Sequence, residues 1–324
     1  MKKIAVLGSS NMDFVFTVEE MPRTGETIKS LEFHKVPGGK GANQACACGK
    51  LGGDCIFLSA VGKDDSGEIL LDSLKRAGVC TEKVLRAEKD TTGMAAIMVN
   101  AKGDNSIVIV PGANKACGKS YVEDNTEVIK EADVVLTQLE TPEEGVYQFI
   151  EAAKAAGKTV ILNPAPAPEG IPEEILQGLD YLTPNETELN KLTGMPVETL
   201  EELEKASETL LKKGVKNVIV TIGKRGALLS NEAGNRICPA FTGIKAVDTT
   251  AAGDTFNAGL AVGLAEGRPL TEAILFANAA AAISVTRKGA QTSIPTKEEA
   301  DELISAGNEP GSRACTDIWR LPQG

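Results

Sequence analysis

"ADVVLTQLETPEEGVYQFIEAAKAAGKTVILNPAPA", residues 132–167, sets two short apolar runs, "ADVVLTQLE" and "KTVILNPAPA", on either side of a segment with helical periodicity. Both runs are near-continuously apolar, the pattern of strands that are covered on both faces. The segment between them announces its ends. Thr141 and Glu144 have capping-box spacing, Pro142 falls at a first-turn position, and the pattern stops at Gly157. Strand, helix and strand in that order predict two parallel strands in one sheet.

The same reading extends outward. "KIAVLGSSNMD", "CIFLSAVG", "DYLTPNE" and "NVIVTIGKRG" are further β-rich runs between helical patterns. Thr199 and Glu202 repeat the cap before "LEELEKASETLLKK", where Leu200, Leu203, Leu210 and Leu211 predict one apolar face ending at Gly214. Residues 1–304 therefore read as one three-layer α/β/α domain with a mostly parallel central sheet. Two segments break the alternation. Residues 14–36 and 93–111 alternate apolar and polar side chains around turn signals at Pro22–Gly25 and Gly103–Asn105. They predict antiparallel hairpins of a small β lid, whose half-exposed face needs covering by bound substrate or by a second subunit. Residues 305–324 have turn-forming composition and predict a disordered tail or an expression remnant.

Composition excludes several functions. No apolar run reaches the roughly 18 residues of a bilayer span, and "MKKIAVLG" carries only a strand-length apolar run, so a cytoplasmic location is expected. A net charge of −11 and a pI near 4.9, with no Lys/Arg cluster, argue against nucleic-acid binding. The seven cysteines include no C-x-x-C pair and read as reduced, mostly buried thiols. His34 is the single histidine, which rules out a two-histidine metal site and leaves acid–base work to a carboxylate.

In an open parallel sheet the ligand crevice lies beyond the carboxyl ends of the strands. There the runs end in Asn11 and Asp13, Glu140, Asn163, Asn185 and Glu188, and Thr221 with Gly223. One such residue is an ordinary wet strand end; together they suit a polyol, whose vicinal hydroxyls carboxylates and amides pair in bidentate fashion. "PGGKGANQA" (37–45) has three glycines, with Lys40 and Asn43 one helical turn apart. It reads as a tight strand-to-helix turn or as a loop contacting hydroxyl or phosphate, and its spacing is not that of a Walker loop. "IGKRGA" (222–227), with the cations Lys224 and Arg225, reads as a nucleotide-phosphate loop or as a hairpin turn. "TPNETE" (183–188) places Asn185 and Glu188 one turn apart, to hold a hydrated Mg²⁺ or to cap a helix. In "DTTAAGDTF" (248–256), the backbone N–H groups from Ala251 through Ala252 and Gly253 to Asp254 would form an anion hole at a helix start. Asp254 would accept the proton of an attacking hydroxyl, with simple helix capping as the alternative.

Taken together, "GSSNMD", "PGGKGANQA", "TGMAAIMVN", "QLE", "NPAPA", "TPNETE", "DTTAAGDTFNAGL" and "RKGAQTS" resemble the ribokinase (PfkB-type) family of carbohydrate kinases over about residues 3–303. The resemblance implies ATP-dependent phosphorylation of D-ribose at its 5-hydroxyl, in a homodimer whose β lid is also the interface. It places Asn11, Asp13, Gly39, Lys40, Asn43 and Glu140 on ribose and makes Asp254 the base, with Gly253 in the anion hole. It places Asn185, Thr221, Gly223, Gly226 and Asn278 on the nucleotide, and it associates Glu188 with Mg²⁺ and phosphate. A K⁺ site falls at Asp248, Thr250, Ser284, Arg287, Gly289 and Ser293, largely through backbone carbonyls. Asn278 stands where the family can have His, and Thr292 where Pro is also found. The alternatives are a kinase for another small sugar or nucleoside, such as deoxyribose or fructose, and a non-catalytic sugar- or nucleotide-binding regulator on the same fold. A dehydrogenase is opposed by "GSSNMD" in place of G-x-G-x-x-G.

Overall fold

The first apolar run feeds two sheets. In the computed structural model, which describes residues 2–306 and 316–317, β1 (Lys3–Leu7) ends at Leu7, residues 8–10 cross over, and β2 (Asn11–Thr17) opens a second sheet. The strands that follow are β3 (Glu32–Gly38), β4 (Asp54–Gly62), β5 (Val84–Ala87), β6 (Gly93–Val99), β7 (Asn105–Val110), β8 (Val134–Thr137) and β9 (Thr159–Leu162). After them come β10 (Tyr181–Leu182), β11 (Asn217–Thr221), β12 (Ala227–Asn231), β13 (Gly234–Cys238) and β14 (Thr316–Asp317).

The large sheet runs β14-β13-β12-β11-β10-β9-β8-β1-β4-β5, parallel from β11 to β5 and antiparallel from β12 to β14. The chain fills one side through β4 and β5 and the other through β8 to β11. The order therefore reverses between β1 and β8, where Leu7 faces Thr137 at the carboxyl ends. Beyond such a reversal an open sheet has its crevice. Both faces are buried as predicted. Ile4 and Val6 enter a core with the helices Lys40–Lys50, Ala252–Ala265 and Leu270–Ser284, while Ala5 and Leu7 enter a core with Glu143–Ala155 and Leu200–Lys212.

The small sheet has the order β3-β2-β6-β7, with β2/β3 and β6/β7 antiparallel and β2/β6 parallel. Two expectations about it change. It begins at Asn11, and Pro22–Gly25 lies inside a long connection rather than a tight hairpin turn, because the ladder closes at Thr17, whose carbonyl accepts from Leu31 N at 2.7 Å. The Thr141 capping box also fails. Pro142 takes the cap position of Glu143–Ala155, and the buried Thr141 hydroxyl has no partner. By contrast, Thr199 and Glu202 form the reciprocal cap, and Leu203 and Leu210 are buried, although Leu200 is exposed.

The β12–β13 hairpin was not legible as a separate run. Of the tail, Thr316–Asp317 pairs with β13, and the rest of that expectation lies outside the described residues. Cys46, Cys48, Cys55, Cys80 and Cys117 are free, whereas Cys238 is disulfide-bonded, so the expectation of thiols throughout does not hold. Among the described residues no helix is long and apolar enough to cross a membrane.

Candidate active site

Close backbone packing builds one side of the site at the β1/β8 reversal. A Cβ on Gly41 would lie 2.4 Å from the Gly8 carbonyl carbon, and Gly39 turns the chain into the helix at φ +88°. With no side chains between them, the helix start presses onto the end of β1. Lys40 N then donates to Glu140 Oε2 at 3.0 Å, Ser9 Oγ donates to the same oxygen at 2.6 Å, and Lys40 Nζ lies 3.9 Å from Glu140 Oε1. Asp13 packs on Gly38 from β2. Asn11 Oδ1 accepts from Asn114 Nδ2 at 2.8 Å, and Asn114 also accepts from Ser10 N.

These charges act on one another. Burial pushes the Asp13 carboxyl from 3.8 up to about 7; Glu140 and Asp254 push the same way and Lys40 opposes them. Burial works to lower the Lys40 ammonium, but Asp254, Glu140, Glu188 and Asp13 more than offset it, and its pKa is raised. Lys40 is therefore the fixed cation of the cluster.

Asp254 stands in the first turn of the helix Ala252–Ala265. The chain enters that helix through Ala251 at φ 58°, the one non-glycine residue with positive φ among those described, a conformation that costs about 1 kcal/mol or more. Ala252 N donates to Thr249 O at 3.2 Å, whereas the N–H groups of Ala251, Gly253 and Asp254 have no acceptor among the described residues. The Asp254 carboxylate is buried and accepts from Asn43 Nδ2 on Oδ2 and from Gln44 Nε2 on Oδ1, each at 3.0 Å. Burial raises its pKa, opposed by Lys40 and the two amides, with Glu140 adding to the rise. Because Asn43 gives its N–H to Asp254, its buried Oδ1 has no partner in the protein.

A cleft of about 580 Å³ lies on one side of the Asp254 helix start, and a smaller one of about 220 Å³ holds Lys40, Glu188 and Asp254. The two share Asn185, Thr221, Thr249, Ala252 and Gly253. Residues 223–225 do make the turn of an antiparallel hairpin, yet Gly223, Lys224 and Gly226 line the larger cleft; Arg225 does not line it but pairs with Glu186, which does. Asn278 lines it too, with its amide spent on the carbonyls of Cys238 and Pro239. Phe256, from "DTTAAGDTF", joins Phe241, Ile244 and Val285, which no motif announced, in an apolar wall.

Asn185 and Glu188 form a reciprocal helix cap, Glu188 N to Asn185 Oδ1 at 2.8 Å and Asn185 N to Glu188 Oε2 at 2.9 Å. The capping alternative is thus the local geometry, and Glu188 still faces the small cavity, its carboxyl raised by burial against Lys40. Asp248 braces two segments: Oδ1 accepts from Thr250 N and Oγ1, and Oδ2 accepts from Gly289 N at 2.8 Å. Burial works to raise its pKa, but those hydrogen bonds hold it low. Ser284 and Ser293 give their hydroxyls to the carbonyls of Ala281 and Ala290, and Arg287 pairs with Glu299.

The chain matches the family model of the pfkB family carbohydrate kinases over residues 1–297. It is 41% identical to a ribokinase of Haemophilus influenzae over 303 residues, 94% of this chain and 98% of that one. It is also 39% identical to a deoxyribokinase of Salmonella typhi over 302 residues, 93% of this chain and 98% of that one. Among solved structures, that of Arabidopsis thaliana ribokinase complexed with ribose and ATP superposes with a TM-score of 0.89 at 37% identity, covering 94% of this chain and 98% of that one. Sequence and fold are shared with these relatives along almost the whole chain, which belongs to the pfkB family of carbohydrate kinases.

Proposed function

We propose that this protein transfers the γ-phosphoryl group of ATP to the 5-hydroxyl of D-ribose. One observation carries the reading: Asp254 and the free N–H groups of Gly253 and Asp254 stand where a polar, acid-lined cavity meets a larger cleft with an apolar wall. The first suits a sugar and a phosphate, the second an adenine. In this assignment Asn11, Asp13, Gly39, Lys40, Asn43 and Glu140 hold the sugar. Asn185, Thr221, Gly223, Lys224, Gly226 and Asn278 border the nucleotide. Asp254 takes the proton of the attacking hydroxyl, and a pKa raised by burial makes it a better acceptor than a free aspartate. The N–H pair and Lys40 neutralise charge on the transferred group, where positioning and electrostatics dominate the barrier.

The residues present fit Mg²⁺ held by Glu188, which keeps one oxygen outside the helix cap; no group of three acidic, His or Cys ligands occurs among the described residues, so the other ligands would be phosphate and water. Bound there, the ion would neutralise phosphate charge. They also fit K⁺ on the loop braced by Asp248 and Thr250, with the backbone carbonyls of Arg287, Gly289 and Ser293, which accept no backbone hydrogen bond among the described residues, and with that of Ser284, which also accepts from Arg287 N. We further place a homodimer interface on the small sheet. Ile107, Val108, Ile109 and Val110 are exposed in succession along its edge strand β7, a surface that calls for a partner. The use of ATP and five free thiols suit a cytoplasmic setting, while the disulfide at Cys238 is unusual there.

The test is ADP release over a panel of ribose, 2-deoxyribose, fructose and nucleosides with Mg²⁺, with and without K⁺. Highest kcat/KM on ribose supports the assignment, equal values for ribose and deoxyribose remove the role of Asp13, and no ADP on any sugar refutes the kinase reading.

A further inference from the structure

The Asp254 carboxylate belongs to a closed ring of buried hydrogen bonds. Gln44 Nε2 donates to Asp254 Oδ1 and to Asn163 Oδ1, both at 3.0 Å, and Asn163 Nδ2 donates to Thr183 O at 3.1 Å. Thr183 Oγ1 donates to Asn257 Oδ1 at 2.5 Å, and Asn257 Nδ2 returns to Gly253 O at 2.9 Å, one residue before Asp254. All four linking side chains are buried. An ionised carboxylate only accepts, so the sense of the first bonds is fixed. Gln44 must turn its amide N–H groups toward Asp254 and Asn163, which leaves its Oε1 to accept from Gln138 Nε2 at 2.6 Å.

Two donors on different oxygens do what one cannot. The terminal torsion of an aspartate is broad, so a carboxylate held through one oxygen keeps rotational freedom about that bond. Asn43 holds Oδ2 from the sugar side, and Gln44 holds Oδ1 from within the protein. Gln44 lines neither cavity, so it reaches them only through its partners, of which Asp254 and Asn163 line the smaller one. Resting on the kinase reading above, we propose that Gln44, locked by Gln138, is a positioning residue that fixes the plane of the Asp254 carboxylate relative to the Gly253 anion loop. Misplacing reacting groups by about 1 Å can cost on the order of 10²-fold in rate, so the ring would act on kcat.

The experiment compares wild type with Gln44→Met, which keeps length and loses both donors, and with Gln44→Glu, which keeps shape should the first variant fail to fold. Expected are a kcat roughly 10- to 100-fold lower, KM values for sugar and ATP within about threefold, and an acid limb of the kcat profile moved to higher pH, because a lost donor or an added charge disfavours the ionised base. Thr183→Val opens the ring on its far side. It should lower kcat about three- to tenfold with the acid limb in place, and combined with Gln44→Met it should cost no more than about twofold beyond Gln44→Met alone. Carboxyl ¹³C titration of Asp254 in the whole protein, moving upward in both Gln44 variants, needs no turnover and so separates this inference from the kinase reading. An unmoved Asp254 titration, a wild-type kcat in both Gln44 variants, or fully multiplicative effects in the double variant would each overturn it.

Discussion

Sugar binding should depend on pH through Asp13, and the structure gives both sign and size. Only the ionised carboxylate accepts from two vicinal hydroxyls; protonated, it loses an acceptor. With the carboxyl pushed up to about 7, about one molecule in eleven is ionised at pH 6 and about ten in eleven at pH 8. Ribose affinity therefore rises about tenfold across that interval, since apparent affinity scales with the competent fraction. Stability runs the other way. A carboxyl whose folded pKa lies above its ordinary 3.8 contributes fully below that value, and the empty protein loses up to about 4 kcal/mol as pH climbs through about 7. Asp13→Asn should thus bind ribose weakly at every pH and raise the Tm of the ligand-free protein at pH 8. Calorimetric titration of ribose into nucleotide-free protein from pH 5.5 to 8.5 measures the first effect, and thermal melts measure the second. Asp254 and Glu188 are also raised by burial, while Lys40 stays charged, so the Asp13→Asn control isolates the Asp13 part. A ribose Kd constant within twofold, or an equal pH slope in the variant, would refute the reasoning.

Three further outcomes are expected. Asp254→Asn keeps the size of the side chain and removes the proton acceptor, so turnover should fall at least about 10²-fold while ribose Kd changes little; near-normal turnover would exclude it as the base. Gly41→Ala sets a methyl 2.4 Å from backbone that cannot give way, so a loss of about 1–3 kcal/mol should accompany a raised ribose KM, and a variant with unchanged Tm and KM would contradict the close packing of the helix on β1. Replacing K⁺ by Na⁺ should lower activity, and Asp248→Asn should blunt that difference by loosening the Gly289 loop; rates insensitive to the cation would remove the site.

How far the residues announced this arrangement depends on where each partner lies in the chain. The parallel sheet was legible because burial on both faces is written locally: Ile4, Ala5, Val6 and Leu7 alternate between two cores, and every one of them is apolar. The small sheet was legible in kind but not in extent. Where β2 ends depends on Leu31 N finding Thr17 O, a long-range pairing with no local mark. Arg225 sat in the right motif but pairs with Glu186 at the edge of the cleft rather than lining it, since a turn's side-chain directions follow from the hairpin it closes and not from its glycines.

The ring around Asp254 shows the same limit and a way past it. Gln44 and Asn257 are read in sequence as polar interruptions of small-residue helices, "GANQA" and "FNAGL", with ring partners 119 and 210 positions away from Gln44. No spacing rule spans such distances. Yet an amide on a helix whose neighbours are Ala, Gly, Cys and Phe is headed for the interior, and there each N–H and C=O must be paired or lose about 1–3 kcal/mol. Two such helices, each carrying an amide beside a proposed ligand residue, Asn43 before Gln44 and Asp254 three before Asn257, predict that the amides serve the carboxylate rather than the fold alone. A small-residue helix buys close approach at the price of side-chain packing, and the amides restore specific contacts where that approach is closest.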